Sequence, residues 1–164
     1  MTEPVIQVGR ISHVGMVVKD CEKTASFLTR MFGIGPFDIQ EYEMEGTADY
    51  YLVDGKEQRP KFKAALFYDG DFFLEVIEVM RGETVHTRHL RNKGEGLQHL
   101  CFLVEDTKAA IEKLKAEGVE PVIDYQMVTV QNGKKVRIHE VYFNTDEMPG
   151  GTTIQLLEYI PVEE

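Results

Sequence analysis

The sequence repeats itself at half its length, and no other feature limits the fold as much. Ile11-Ser12-His13-Val14-Gly15-Met16-Val17-Val18-Lys19-Asp20 sets a His seven residues before an Asp. His99 stands in the same relation to Asp106, in the run that opens Gly94-Glu95-Gly96-Leu97-Gln98-His99. In both copies the Asp begins an amphipathic segment of about three turns that stops at a Gly, Gly33 or Gly118, with Pro36 or Pro121 three residues further on. The two His residues lie 86 positions apart in a chain of 164. A supersecondary unit duplicated at that spacing is expected to pack about a pseudo-twofold axis, so that a residue in one copy faces its counterpart in the other.

The rest of the chain reads as the same series twice. In the first half a partly alternating strand covers Arg10 to Val18, and Asp20 caps a helix over Cys21 to Phe32. Phe37 to Glu45, continued by Asp49 to Val53, alternates as a strand, and Asp54-Gly55 signals a hairpin. Phe62 to Tyr68 and Phe72 to Val79 follow as strands around the tight turn Asp69-Gly70. Arg81 to Lys93 reads either as a short helix or as the connection between halves. The second half then gives a strand at Leu97 to Val104, a helix capped by Asp106, strands near Val122 to Val130 and Val136 to Phe143 joined by Asn132-Gly133, and a last strand from Thr152 to Ile160. This predicts an α+β fold in one domain spanning 1–164. Its two tandem βαβββ modules lie at about 10–80 and 96–161, with residues 81–95 linking them.

Composition closes off several function classes. A net charge of −10 with no basic stripe leaves nothing to neutralise nucleic-acid phosphates. The apolar runs are too short to cross a bilayer, and no charged and apolar leader opens the chain, so a cytoplasmic protein is expected. The two cysteines, Cys21 and Cys101, have no CxxC spacing and read as reduced packing residues. A small anionic substrate would need only a few local cations, for which Lys61, Lys63, Lys134, Lys135 and Arg137 are candidates, each of them ordinary as a solvated strand or hairpin residue.

Chemistry is sought where polar residues interrupt the apolar strands that close each half. Glu75 sits five residues after Gly70 and Gln155 five after Gly150, so Glu75 matches Gln155 as His13 matches His99. Strand alternation puts each on one face of its sheet, and the pseudo-twofold would turn all four toward one axis. Two imidazoles, a carboxylate and an amide oxygen form a mixed N/O donor set suited to Zn, Co, Ni, Mn or Fe as divalent ions. Four ligands on a six-coordinate ion leave two positions for a chelating substrate. His86, His89 and His139 lack repeat partners and read as surface or structural residues.

The paired His-bearing βαβββ units, the Gly94-Glu95-Gly96-Leu97-Gln98-His99 run and the Gly-x4-Glu/Gln closing strands resemble the vicinal oxygen chelate superfamily over nearly the whole chain. The run from Arg81 through His99 is most similar to its methylmalonyl-CoA epimerase and glyoxalase I branch. The resemblance implies a metal held by His13, Glu75, His99 and Gln155, in curved sheets that form a cup-shaped open barrel, often in a homodimer. It also implies a small-molecule substrate, an acyl-CoA or a thiol adduct. Family epimerases carry Gln on the first closing strand and Glu on the second, and here the order is reversed. An acid/base carboxylate found on an early strand in those epimerases has its nearest counterpart in Glu41-Tyr42-Glu43-Met44-Glu45-Gly46.

The expected chemistry is metal-dependent removal of a proton alpha to a carbonyl or thioester. Glu75 is the first candidate base, with Glu43 and Glu45 as alternatives whose ordinary reading is exposed strand carboxylates. A methylmalonyl-CoA epimerase-like enzyme is the leading expectation and a glyoxalase I-like lyase the nearest alternative. An Fe(II) extradiol-type dioxygenase and a metal-free, ligand-sequestering resistance protein are more distant ones. Gln155→Glu is expected to keep the metal and to keep or raise proton-abstraction activity.

Overall fold

The computed structural model describes residues 2–131 and 133–162. Its centre is the seam between the two copies of the repeat. Strand β1 (Ile11–Val17) runs antiparallel to β7 (Gly96–Leu103), with His13 paired to Cys101 and Gly15 to His99. Helix α1 (Cys21–Phe32) follows β1 and helix α3 (Thr107–Ala116) follows β7. Each begins as the sequence predicts: Asp20 accepts from the Lys23 amide and Asp106 from the Ala109 amide, both at 2.9 Å. A second matched pair of carboxylates serves these helix starts from the closing strands. Glu78 accepts from the Cys21 amide at 3.0 Å and Glu158 from the Thr107 amide at 2.9 Å.

The remaining strands complete one curled mixed sheet. They are β2 (Asp38–Glu43), β3 (Ala48–Val53), β4 (Lys56–Glu57), β5 (Lys61–Asp69), β6 (Phe72–Arg81), β8 (Pro121–Gln131), β9 (Lys134–Phe143) and β10 (Thr153–Pro161). The ten strands run β2-β5-β6-β1-β7-β10-β9-β8-β3-β4, a half-barrel in which β2-β5-β6-β1 mirrors β8-β9-β10-β7. Residues 81–93, open to two readings in sequence, contain helix α2 (Val85–Lys93), capped by Thr84. The hairpin expected at Asn132-Gly133 falls partly outside the described residues.

One sequence expectation is corrected. Residues 37–45 and 49–53 do not continue as one strand of the first half. A turn after Met44 ends β2, and β3 crosses to the opposite flank, where Tyr51 pairs with Tyr125 of β8. Asp54-Gly55 then reverses the chain into β4 as the two-residue turn predicted, with Asp54 at φ 50° and Gly55 at φ 74°.

Packing separates the two faces of the sheet. On the convex side α1 buries Cys21 and Ala25 against Ala65 and Val76, and α3 buries Ala110 against Val141, Phe143 and Leu156. On the concave side Met44, Tyr51, Val53, Phe62, Ile77, Ile123 and Tyr142 form an apolar cluster. That cluster does not plug the hollow. A cavity of about 350 Å³ remains, within the range of small-molecule sites.

Candidate metal centre

Two rungs of the sheet build the centre of the cup. On one, Gly15 pairs laterally with Glu75 of β6 and with His99 of β7. On the other, Cys101 pairs with His13 of β1 and with Gln155 of β10. The repeat relates the rungs: each sets a His and an acid or amide on either side of a small residue, Gly15 in one and Cys101 in the other. The small residue is required at Gly15, where an added Cβ would lie 1.8 Å from Cε1 of His99. The His99 ring therefore lies over the Gly15 backbone, and the counterparts His13 and His99 meet edge to face with ring centroids 5.4 Å apart.

The side chains converge. Nε2 of His13 lies 3.6 Å and Nε2 of His99 3.4 Å from Oε2 of Glu75. One donor atom from each of these three residues falls within 4.8 Å of the others. Oε1 of Gln155 stands 3.0 Å from Nε2 of His13. Oε2 of Glu75 and Nε2 of His99 are buried, and neither is aligned for a hydrogen bond despite their separation. Two buried polar atoms without hydrogen bonds carry a desolvation cost that a shared cation would offset. The donor set is that of a borderline divalent ion, so the residues fit a metal.

Neighbouring groups prepare the imidazoles. Oε1 of Gln98 accepts from Nδ1 of His99 at 2.9 Å and from Nδ1 of His86 at 2.7 Å. An amide oxygen only accepts, so both rings carry their proton on Nδ1, which leaves the His99 Nε2 lone pair free. Nδ1 of His13 sits 3.2 Å from Oγ of Ser12, and Phe73 stacks on the ring with centroids 4.3 Å apart. Burial pushes His13 down to about 4, with the Glu75 carboxylate opposing the shift. Burial takes His99 down to about 3. Both rings are therefore neutral, as metal ligation needs, at any ordinary pH.

Glu43 and Glu45 do not join the site. Alternation along β2 turns Asp38, Gln40 and Tyr42 into the cup, and Met44 follows them, while Glu43 and Glu45 pair with Arg81 outside it. Among the described residues no Lys or Arg lines the cup. Lys61 pairs with Glu41 and Lys63 with Glu22, each at 2.9 Å, and Arg137 pairs with Asp49.

Three contributors escaped the sequence reading. His86, read as surface or structural, is buried in the cup wall between Phe62 and Tyr142. Gln98 fixes two tautomers. Glu140, half-buried on β9, faces the cup between Ile138 and Tyr142. Oε2 of Glu140 accepts from the Tyr125 hydroxyl and from Nε2 of Gln155, both at 2.6 Å. Burial and the nearby Glu75 push Glu140 up to about 8, against these two hydrogen bonds. The available signal was a carboxylate on the otherwise apolar inward face of a strand, between Ile138 and Tyr142, but Glu140 has no acidic partner in the repeat. His139 belongs to the outer face, with Nε2 2.9 Å from Asp124.

Fold and site define a cup with a mixed N/O donor set at its centre. The sequence matches the Glyoxalase/Bleomycin resistance protein/Dioxygenase superfamily over residues 12–137, and the chain belongs to that superfamily. It is 22% identical over 139 residues to the mitochondrial methylmalonyl-CoA epimerase of Mus musculus, covering 84% of this chain and 70% of that protein. With glyoxalase I of Saccharomyces cerevisiae it shares 28% identity over 119 residues, 67% of this chain but only 36% of the longer yeast protein. A solved methylmalonyl-CoA epimerase in complex with methylmalonyl-CoA and NH4+ superposes with a TM-score of 0.64 over 96% of this chain and 99% of that one. At 19% identity this last likeness is one of fold.

Proposed function

We propose that this protein is a divalent-metal-dependent enzyme that removes a proton alpha to a carbonyl or thioester, with His13, Glu75, His99 and Gln155 as the metal ligands. The observation that carries the proposal is the pair of buried atoms without hydrogen bonds, Oε2 of Glu75 and Nε2 of His99, 3.4 Å apart at the base of a cup whose wall includes Glu75 and His13. A bound divalent ion would polarise the substrate carbonyl and stabilise the negative charge that develops on its oxygen. Glu75 is the base. Its side chain is 18% exposed, lines the cup, and makes no hydrogen bond through Oε2. Aromatic side chains, among them Tyr42, Phe62 and Tyr142, line the cup and would give a bound substrate an apolar surface.

An acyl-CoA epimerase of the methylmalonyl type is the favoured reaction. Similarity to the mouse epimerase and to the solved epimerase over nearly the whole chain supports it. A glyoxalase-type isomerisation of a hemithioacetal is the second reading, favoured by the local similarity to yeast glyoxalase I. Metal analysis of protein purified without added metal, then reloading with Co²⁺ and deuterium wash-in at the alpha carbon of several acyl-CoAs and a hemithioacetal, tests both. Metal-dependent exchange with one substrate class is expected. Absence of metal binding, or exchange indifferent to metal, would overturn the proposal.

A further inference from the structure

The Gln155 amide has two chemically different ends, and only one of them can meet a cation. Its oxygen faces Nε2 of His13 at 3.0 Å, and its nitrogen donates to Glu140 at 2.6 Å. An amide rotated by half a turn would present N–H groups to the imidazole and to any ion there, and would set its oxygen against Oε2 of Glu140, which already accepts from the Tyr125 hydroxyl and has no proton to offer. Glu140 is itself held by the Tyr125 hydroxyl on the same oxygen, at 2.6 Å. Tyr125, Glu140 and Gln155 thus form a chain from β8 through β9 to β10, in which Tyr125 pairs with Glu140 across the sheet. Gln155 is fully buried, so no solvent contact competes with this arrangement.

We propose that Glu140 is the positioning residue of the metal centre: with Tyr125 it locks the Gln155 amide with its oxygen toward the ion, and so makes a ligand of a residue whose orientation would otherwise be free. The inference rests on the metal-binding reading above. It also changes what Gln155→Glu should do. That substitution, harmless by sequence alone, would put a second acceptor where Oε2 of Glu140 now accepts from the Gln155 amide, so the hydrogen bond that orients position 155 is lost. The remedy lies one strand away. In the double variant Gln155→Glu with Glu140→Gln the amide and carboxylate exchange places, and the hydrogen bond between them is restored with its direction reversed.

The test is Co²⁺ titration of the metal-free wild-type protein and of four variants: Glu140→Leu, Glu140→Gln, Gln155→Glu and the double exchange. The visible ligand-field spectrum and the dissociation constant are read for each. Glu140→Leu is expected to weaken Co²⁺ by about 10- to 100-fold, the usual cost of losing an outer partner of a ligand, and to alter the spectrum. Glu140→Gln is nearly isosteric and keeps the fold within reach should the leucine variant fail to fold. It is expected to weaken Co²⁺ in the wild-type background and to strengthen it in the Gln155→Glu background. A general packing role would give the same sign in both. Wild-type protein that ignores Co²⁺ would defeat the metal reading itself. Wild-type protein that binds, with Glu140→Gln acting in the same direction in both backgrounds, would defeat this inference alone.

Discussion

The two halves share a scaffold and differ behind the candidate ligands on their closing strands. Behind Gln155 the second half places Glu140 and Tyr125. The positions that correspond to these in strand register behind Glu75 are Ala64 and Gln40. A methyl group stands where the other half has a carboxylate, and Gln40 turns aside to donate to Asp38 at 2.7 Å. Gln155 is therefore tied at both ends of its amide, whereas Oε2 of Glu75 has no hydrogen bond. Duplication supplies a matched pair of candidate ligand positions, and the surroundings then set them apart: an amide hydrogen-bonded at both ends on one side, a carboxylate oxygen without a hydrogen bond on the other.

The strongest way to break this comparison is at its hinge. Gly15→Ala must displace the His99 ring, since the new Cβ would lie 1.8 Å from it. Co²⁺ affinity should fall by well over about 100-fold, more than the loss of an outer-shell partner costs, whereas Cys101→Ala, at the repeat-related position, should leave it nearly unchanged. Equal losses in the two variants, read by competition titration, would contradict the assigned geometry. Next in size is Glu75→Gln. Removing the untethered carboxylate should lower alpha-deuterium exchange by about 10²- to 10⁴-fold in the Co²⁺-loaded enzyme, while the metal stays bound more weakly. Exchange at the wild-type rate would move the base elsewhere.

The pH dependence of the metal-free protein sharpens the comparison less steeply but in both directions. His13, His86 and His99 are held near 4, 4 and 3 in the folded state, below the ordinary 6.5, so the unfolded chain binds more protons under acid and stability falls as pH drops below about 6.5. Glu140, raised to about 8, binds a proton in the folded state that the unfolded chain has already lost, so its contribution fades as pH rises from about 4.5 to 8. Urea midpoints should therefore peak near neutrality, and Glu140→Gln should remove the alkaline decline and leave the acid one. The smallest effects test the shared scaffold. Asp20→Ala and Asp106→Ala each remove a cap and should cost about 1 kcal/mol apiece in urea unfolding. A marked inequality would show that the halves differ in more than their site.

Much of this was legible because duplication turns a weak local signal into a matched one. His13, His99, Glu75 and Gln155 are each unremarkable alone, but their spacing repeats, and β1 and β7 pair His13 and Gly15 with Cys101 and His99 as a twofold requires. The same dependence on repetition explains what was missed. Glu140, Gln98 and His86 act in one half only, so nothing in the sequence doubled their weight. Glu43 and Glu45, weighed as alternative bases, lie outside the cup as their ordinary reading had it. They lie near the position of a family carboxylate, but strand parity, set by where β2 pairs with β5, turns Gln40 and Tyr42 inward instead. The crossing of β3 was also beyond local reading, since alternation shows that a strand has a buried face and says nothing about which neighbour it joins.

The crossing hairpin has a consequence for the integrity of the protein. Because β3 covers the outer flank of β8 from Ile123 to Met127, residues 48–57 act as a stopper on an edge that would otherwise be bare. Deleting or proteolytically nicking that short loop would uncover unpaired amides and carbonyls and invite a neighbouring molecule to lend its own strand. Aggregation triggered by such damage, rather than damage at the candidate metal centre, would then set the shelf life of the protein.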